Sequence, residues 1–161
     1  MTGAIYSTTM DSPLGPIRLT AADVGLTRVD FQKGEWSMKP PLNDPDNGVL
    51  AAAVRQLQAY FDGTRQRFTV PLAPAGTAFQ QRVWQALQQI PFGTTITYQE
   101  LAHRVGSPKG ARAAGSANGC NPIAIIIPCH RVLGRDGRLR GYAGGLCIKR
   151  RLLQHEGACL L

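Results

Sequence analysis

The sequence predicts an α/β protein of two domains: a small antiparallel sheet with one helix over residues 1–75, and a mostly helical domain with a helix-turn-helix over residues 76–161. Near the start, apolar and polar residues alternate between turn clusters, which is the pattern of half-buried strands. Later segments repeat apolar residues at helical spacing. Pro74, Ala75 and Gly76 separate the two regions and form the best candidate linker.

The first domain is predicted to begin with three strands joined by turns rich in Gly, Pro and Asp. These strands cover residues 4–8, 17–20 and 26–31. A loop with three prolines follows over residues 33–48 and is expected to end in a helix cap near Asp46 or Asn47. Residues 49–61 carry apolar side chains at helical spacing, so one helix is expected to cover the sheet. Residues 68–72 are a further candidate extended segment.

The second domain is predicted to begin with three helices. An apolar stripe predicts the first over residues 79–90. Thr97 followed by Glu100 matches a capping box and predicts the start of the second. Ser107 followed by Pro108 is a strong start signal for the third. Because only a glycine turn separates the second helix from the third, the pair predicts a helix-turn-helix.

The apolar run at residues 123–127 predicts a short buried strand that Pro128 ends. Cys129 is therefore expected at the edge of the core, exposed at a turn, with His130 and Arg131 beside it. An imidazole that accepts a proton and a permanent positive charge both favour the thiolate form of a cysteine. The alternative is an inert cysteine, because free cysteines usually pack as small apolar residues.

The segment after this cysteine is rich in glycine and arginine. Residues 134–137 form a predicted turn, and residues 138–145 a basic loop that lacks both common phosphate-binding patterns, so no nucleotide cofactor is expected. Ile148, Leu152 and Leu153 predict a last helix. Its basic residues 149–151 are expected on the solvent side.

The positive charge of the chain lies in its second half. Residues 1–75 contain seven Lys/Arg and seven Asp/Glu, whereas residues 76–161 contain eleven Lys/Arg against three Asp/Glu, so the whole net charge of +8 belongs there. A basic domain is typical of proteins that meet a polyanion such as nucleic acid. The alternative is a solvated basic surface without a specific partner.

The four cysteines all lie in the last 42 residues, and none has the spacing of a metal site. No charged and then apolar signal segment opens the sequence. We therefore expect a reducing, cytoplasmic location. No apolar stretch approaches the roughly 20 residues of a membrane span, so no membrane association is expected.

Several motifs occur together at matching spacing over residues 78–157, and one more loosely at residues 12–15. These are Tyr98, Arg112, Asn121 with Pro122, the block from Pro128 to Val132, the block from Gly141 to Gly145, and His155 to Gly157. Together they resemble the O6-alkylguanine-DNA alkyltransferases, the methylated-DNA–protein cysteine methyltransferases, and in particular their bacterial members. The resemblance implies a ribonuclease H-like first domain and a winged-helix-like second domain.

In that family a cysteine takes the alkyl group from O6 of a flipped guanine and keeps it, so each molecule acts once. The resemblance implies irreversible, stoichiometric repair of O6-methylguanine, and of O4-methylthymine, in DNA by Cys129. It implies that His130 takes the thiol proton through a water, and that Glu156 orients the imidazole. Tyr142 is expected to protonate the leaving guanine, and Asn121 to tie the active-site turn to the recognition helix.

The resemblance also implies how double-stranded DNA is held. Arg112 is expected to fill the gap left by the flipped base, and Tyr98 to crowd the 3′ phosphate. Further DNA contacts are expected from Ser107, Lys109, Ala111 and Arg135, and a pocket for the base from Val132, Ala143 and Gly144. No metal or other cofactor is expected. The protein is expected to be a monomer, with cooperative binding along DNA left open.

Two other functions fit parts of the sequence. A non-catalytic, alkyltransferase-like protein that only binds damaged DNA would share most of these motifs, but such proteins lack the acceptor cysteine. A hydrolase with a Cys-His pair would need an oxyanion hole and repeated turnover, and an adjacent Cys-His pair rarely permits the direct geometry.

Overall fold

A computed structural model describes residues 3–33 and 42–158. The chain divides into two compact units, Met1–Ala75 and Gly76–Leu161. Half of the predicted loop at 33–48, residues 34–41, lies outside the described residues, as does Cys159. No helix in the described part of the chain is long and apolar enough to cross a membrane.

The first unit contains a four-stranded sheet in the order β3-β2-β1-β4. Its strands are β1 (Ile5–Met10), β2 (Ile17–Ala22), β3 (Gly25–Phe31) and β4 (Leu42–Asn43). Strands β1, β2 and β3 pair antiparallel, which confirms the predicted small antiparallel sheet. The two-residue β4 pairs parallel to β1 and was not predicted, because two residues carry no periodic pattern.

One helix, α1 (Gly48–Phe61), packs on this sheet, as predicted. The Asn47 side-chain oxygen accepts hydrogen bonds from the first amides of the helix, at 3.1 Å from Val49 N and 3.2 Å from Leu50 N. The apolar face of α1 and alternate residues of the strands are fully buried, and together they form the core of this unit. These residues are Ile17, Leu19, Ala21, Leu50, Ala53, Leu57 and Tyr60.

The predicted extended segment at residues 68–72 does not form a regular strand. It pairs with the sheet through an isolated parallel bridge between Leu72 and Leu26. A side chain at Gly25 would lie 2.8 Å from the Pro71 carbonyl oxygen, so the close approach of this segment to β3 depends on glycine at that position.

The second unit is mostly helical, as predicted. It contains α2 (Ala78–Leu87), β5 (Ile96–Thr97), α3 (Tyr98–Arg104), α4 (Ala111–Gly119), a 3-10 turn (Cys129–Arg131), β6 (Val132–Leu133) and α5 (Leu146–His155). Strands β5 and β6 pair parallel. Helices α3 and α4 pack together and form the predicted helix-turn-helix.

Helix α2 is shorter than predicted, because it ends at Leu87 and Ile90 is buried in the turn that follows. Trp84 connects α2 to α4. Its ring is buried, and its indole N–H donates a hydrogen bond to the Ala117 carbonyl oxygen at 2.9 Å. This contact holds the helix-turn-helix against the rest of the unit.

Two predicted helix starts need correction. Thr97 caps α3, since its hydroxyl accepts from Glu100 N at 3.1 Å, but the Glu100 carboxylate binds Arg104 instead of completing a capping box. Helix α4 begins at Ala111 and not at Pro108. Residues 107–110 close a turn of their own, with Gly110 N donating to Ser107 O at 2.8 Å, so the helix cannot start earlier.

Candidate active site

The segment before Cys129 is buried but is not a strand, so the predicted strand at residues 123–127 is wrong. Ile126 N donates to Ala124 O at 2.8 Å across Ile125, whose φ is 70°, which makes a tight γ-turn of the positive-φ type. A second γ-turn follows at once. Cys129 N donates to Ile127 O at 2.8 Å across Pro128, whose φ of −83° and ψ of 62° fit the inverse form.

Ile125 is strained, because a β-branched residue rarely adopts a positive φ. Among the described residues it is the only non-glycine residue in that region. Such a backbone costs about 1–3 kcal/mol and persists only where the surroundings impose it. The side chain of Ile125 is buried in the core, which supplies that constraint.

Asn121 fixes the same turn from the other side. Its amide nitrogen donates to Ile127 O at 2.7 Å, and its amide oxygen accepts from Ile123 N at 3.0 Å. Asn121 follows directly on α4 and its C-cap residue, so the turn is attached to the helix-turn-helix. A single side chain thus sets the backbone that leads to Cys129.

Cys129 is 7% exposed, so the predicted exposure of its sulfur is wrong. Burial raises the pKa of the thiol, while a hydrogen bond from Asn121 and the charge of Lys149 act in the opposite direction. The resting group is therefore a thiol, and the predicted stabilisation of thiolate by Arg131 does not occur. Arg131 turns away from the sulfur and binds Glu156.

Glu156 holds the two residues that follow the cysteine. Its Oε2 lies 2.7 Å from His130 Nε2. Arg131 binds both carboxylate oxygens, with Nε at 2.7 Å from Oε1 and Nη2 at 3.0 Å from Oε2. All three side chains are almost completely buried, so these are strong charge-assisted contacts. Glu156 is not a solvated carboxylate at the chain end.

The protonation states follow from these contacts. Burial alone would raise the pKa of Glu156, but the hydrogen bonds from His130 and Arg131 and the positive charge of Arg131 outweigh it and hold the carboxylate ionised. Burial lowers the pKa of His130 against the opposing effect of Glu156, so the imidazole rests neutral and can accept a proton.

The second nitrogen of this imidazole makes no hydrogen bond to the described residues. His130 Nδ1 is buried and has no hydrogen-bond partner among the described residues. Because Nε2 is next to an ionised carboxylate, Nε2 carries the proton and Nδ1 has the free lone pair. Nδ1 is thus the atom that can receive a proton.

A cleft of about 440 Å³ lies along the helix-turn-helix. Its lining residues are Tyr98, Ala111, Arg112, Gly115, Asn118, Gly119 and Gly141. Asn118 connects it to the cysteine, because its amide nitrogen donates to Cys129 O at 3.4 Å. Burial is the main cause that raises the pKa of Tyr98, and the charge of an ionised Cys129 adds to it.

The other predicted site residues differ from one another in their exposure to solvent. Lys109, Arg112, Arg135 and Ala143 are exposed; Ser107, Ala111, Tyr142 and Gly144 are half-buried. Val132 is fully buried in β6. The exposed basic residues can reach a phosphate backbone. Within the described residues, no group of three His, Cys, Asp or Glu side chains could hold a metal ion.

Lys149 was predicted on the solvent side of α5, and this is wrong. The side chain is fully buried, its Nζ donates to Arg140 O at 2.9 Å, and it lies 5.9 Å from the centre of the Tyr98 ring. A helical count gives the signal that was missed: Lys149, Leu152, Leu153 and Glu156 follow one stripe of the helix. A lysine within such a stripe faces the core.

Two family models match the chain. Residues 5–74 match the 6-O-methylguanine DNA methyltransferase, ribonuclease-like domain, and residues 78–158 match the DNA binding domain of the same family. A methylated-DNA–protein-cysteine methyltransferase of Methanosarcina acetivorans is 50% identical over 156 residues, covering 96% of this chain and 100% of that protein. The protein of that name from Mycobacterium tuberculosis is 48% identical over 152 residues, covering 94% of this chain and 92% of its own.

Solved structures show the same similarity. A single-residue variant of Mycobacterium tuberculosis OGT is 48% identical, with a TM-score of 0.87 over 95% of this chain and 93% of its own. Mycobacterium tuberculosis OGT in complex with DNA is 47% identical, with a TM-score of 0.87 over 94% of this chain and 92% of its own.

The contacts of Glu156 predict how stability depends on pH. Its pKa is lower in the folded protein than in the unfolded chain, where a glutamate titrates near ~4.3, so its pairing stabilises the fold above that pH and is lost as pH falls. The lowered pKa of His130 acts in the same direction below ~6.5. We expect Glu156→Gln to lower the free energy of unfolding by about 3–5 kcal/mol at pH 7, and by less below pH ~4.

Urea denaturation at both pH values measures this difference. Glu100→Gln is the matched control, because it breaks an exposed ion pair with Arg104 and is expected to cost under ~1 kcal/mol at either pH. An equal loss at pH 7 and at acid pH for Glu156→Gln would contradict the assignment of an ionised, paired carboxylate.

Proposed function

The chain belongs to the 6-O-methylguanine DNA methyltransferase family, and from this premise we propose that it repairs DNA by moving the alkyl group of O6-methylguanine irreversibly to its own Cys129. The observation that carries this proposal is the geometry around the sulfur. Cys129 is held by a strained turn, next to a buried His-Glu pair and beside the cleft of a helix-turn-helix. O4-methylthymine, which presents an equivalent alkylated oxygen, is the proposed second substrate.

The transfer is a displacement at an sp3 carbon. The sulfur attacks the methyl carbon, the S–C bond forms as the C–O6 bond breaks, and the electron pair stays on the guanine. Thiolate is the form of the side chain that attacks. Because burial raises the pKa of Cys129, the proton must leave as part of the reaction and not before it.

His130 is the proposed base. Its Nδ1 has a free lone pair and no partner among the described residues, so a bridging water between the sulfur and Nδ1 would satisfy both groups. Glu156 holds the opposite face of the ring and stabilises the positive charge that forms there. Arg131 keeps Glu156 ionised, so the proton stays on the imidazole and does not pass to the carboxylate.

A tyrosine would protonate the leaving guanine. The resemblance assigns this to Tyr142, but Tyr98 is the better-placed candidate, because it lines the cleft and interacts electrostatically with Cys129. Its raised pKa keeps the phenol protonated and able to donate. Asn121 positions the sulfur through the turn.

Reaction at O6 requires the base to leave the duplex, which costs a few kcal/mol. Arg112, exposed on α4 at the rim of the cleft, is the proposed side chain that fills the gap, and Tyr98 crowds the 3′ phosphate. Ser107, Lys109 and Ala111 surround the start of α4, whose amides lack a side-chain cap and favour a phosphate.

Further proposed contacts complete the site. Arg135 is exposed and would meet the DNA backbone. Backbone groups of Val132, Ala143 and Gly144 would contact the edge of the flipped base. We place the protein in the cytoplasm, because Cys120 and Cys147 are exposed and unpaired in the described part of the chain, which suits a reducing compartment.

The central test is mass spectrometry of the intact protein after incubation with excess duplex DNA containing O6-methylguanine. We expect one added methyl group, mapped to Cys129, and no further product at longer times. Cys129→Ser should remain unmodified, while Cys120→Ser and Cys147→Ser should react as the wild type does. An unmodified wild type that still binds the damaged duplex would favour the non-catalytic function.

The two tyrosines can be separated by single substitutions. Tyr98→Phe removes the proposed proton donor but keeps the ring. It is expected to slow methyl transfer by about 10–100-fold, which is at or below the lower end of the usual contribution of a general acid. Tyr142→Phe is the comparison and is expected to have a smaller effect. Single-turnover rates on the same duplex measure both, and a larger loss for Tyr142→Phe would return the donor role to Tyr142.

The role of Arg112 predicts a dependence on the form of the substrate. Arg112→Ala should slow repair in duplex DNA by at least about tenfold, because the gap left by the extruded base loses the side chain that fills it, an effect on the order of 1–3 kcal/mol. Reaction with the free base O6-benzylguanine should change little. Arg82→Ala, which removes an exposed positive charge from α2, is the control. Equal losses of Arg112→Ala on both substrates would contradict the role.

A further inference from the structure

Lys149 is a buried cation without a carboxylate partner. The side chain is fully buried, and its Nζ donates a hydrogen bond to the carbonyl oxygen of Arg140 at 2.9 Å. Across the described residues, no ion pair includes Lys149. Buried lysines are rare and are normally paired, so an unpaired one needs an explanation.

Glu156 and Asp136 are already paired with other side chains. Glu156 is bound by His130 and by both donors of Arg131. Asp136 is bound by Arg140 at 2.9 Å. From α3, the group that faces Lys149 is the neutral Tyr98 ring, 5.9 Å away. Helix α5, which carries Lys149, packs against the 3-10 turn, and this leaves that turn as the element that can supply a negative charge.

The 3-10 turn supplies that charge when Cys129 ionises. Lys149 and the sulfur act on each other electrostatically: the Lys149 charge lowers the pKa of Cys129, and the charge of Cys129 opposes the burial that lowers the pKa of Lys149 to about 8. Lys149 also disfavours a charged His130. With Glu156 neutralised by Arg131, the thiolate is the anion left to balance Lys149.

We propose that Lys149 is the counter-cation of the Cys129 thiolate, a positioning residue that acts through the sulfur and does not touch the substrate. The inference rests on the proposed function for its meaning.

The test uses iodoacetamide, which alkylates a thiolate without DNA. The rate at Cys129 is followed from pH 5 to pH 10 by peptide mapping of the full-length protein, for the wild type, Lys149→Met, Lys149→Gln and Lys149→Arg. The two neutral variants should react about tenfold more slowly at pH 7, equivalent to one pKa unit, with the profile displaced to higher pH. Lys149→Arg should restore the wild-type profile at pH 7.

Arg150→Met is the control, because it removes an exposed charge from the adjacent position of the same helix. It should leave the profile unchanged. Circular dichroism checks that each variant is folded. Folded neutral variants at position 149 that keep the wild-type profile would overturn the proposal.

Because iodoacetamide needs no DNA, the outcome stays readable even if methyl transfer from O6-methylguanine fails.

Discussion

The second unit depends on the buried carboxylate of Glu156. Through His130 and Arg131 it ties the end of α5 to the 3-10 turn, and Arg131 Nη1 extends the link to the Ile90 carbonyl beyond α2, at 2.6 Å. An ionised carboxylate in the core is costly unless hydrogen bonds and charges compensate it. Here the compensation comes from the residue pair next to the reactive cysteine, so the same contacts hold the fold together and set the protonation of the proposed base.

The turn before Cys129 adds a second constraint. Two consecutive γ-turns reverse the backbone within a few residues, and Asn121 and the buried Ile125 hold them in place. The backbone strain is confined to Ile125, and the packing of the surrounding core compensates for it. The sulfur is therefore placed by backbone geometry, while its protonation is governed by burial, which Asn121 and Lys149 oppose.

The sequence predicted the parts of this structure that follow from repeating patterns. Helix α1 and the strands β1 to β3 were predicted because their apolar residues repeat with a helical or strand period. The helix cap was predicted near Asp46 or Asn47 from residue type, and Asn47 is the residue that caps the helix. Residues 123–127 were predicted wrongly as a strand, because a short apolar run indicates burial but does not determine the backbone conformation. Lys149 was predicted on the solvent side because the charge of its side chain was given more weight than its position in the apolar stripe of the helix. The protonation of Cys129 depends on contacts from α5 that no local pattern encodes.

The burial of Cys129 also affects how long the protein stays able to accept an alkyl group before it meets damaged DNA. A residue that reacts once cannot be replaced, so every encounter with peroxide or a low-molecular-weight disulfide would waste a whole molecule. Oxidants attack the thiolate of accessible cysteines. Cys129 rests as an enclosed thiol, whereas Cys120 and Cys147 lie in solvent. The enclosure thus preserves the acceptor chemically, and oxidation falls first on the two cysteines whose loss leaves the acceptor intact.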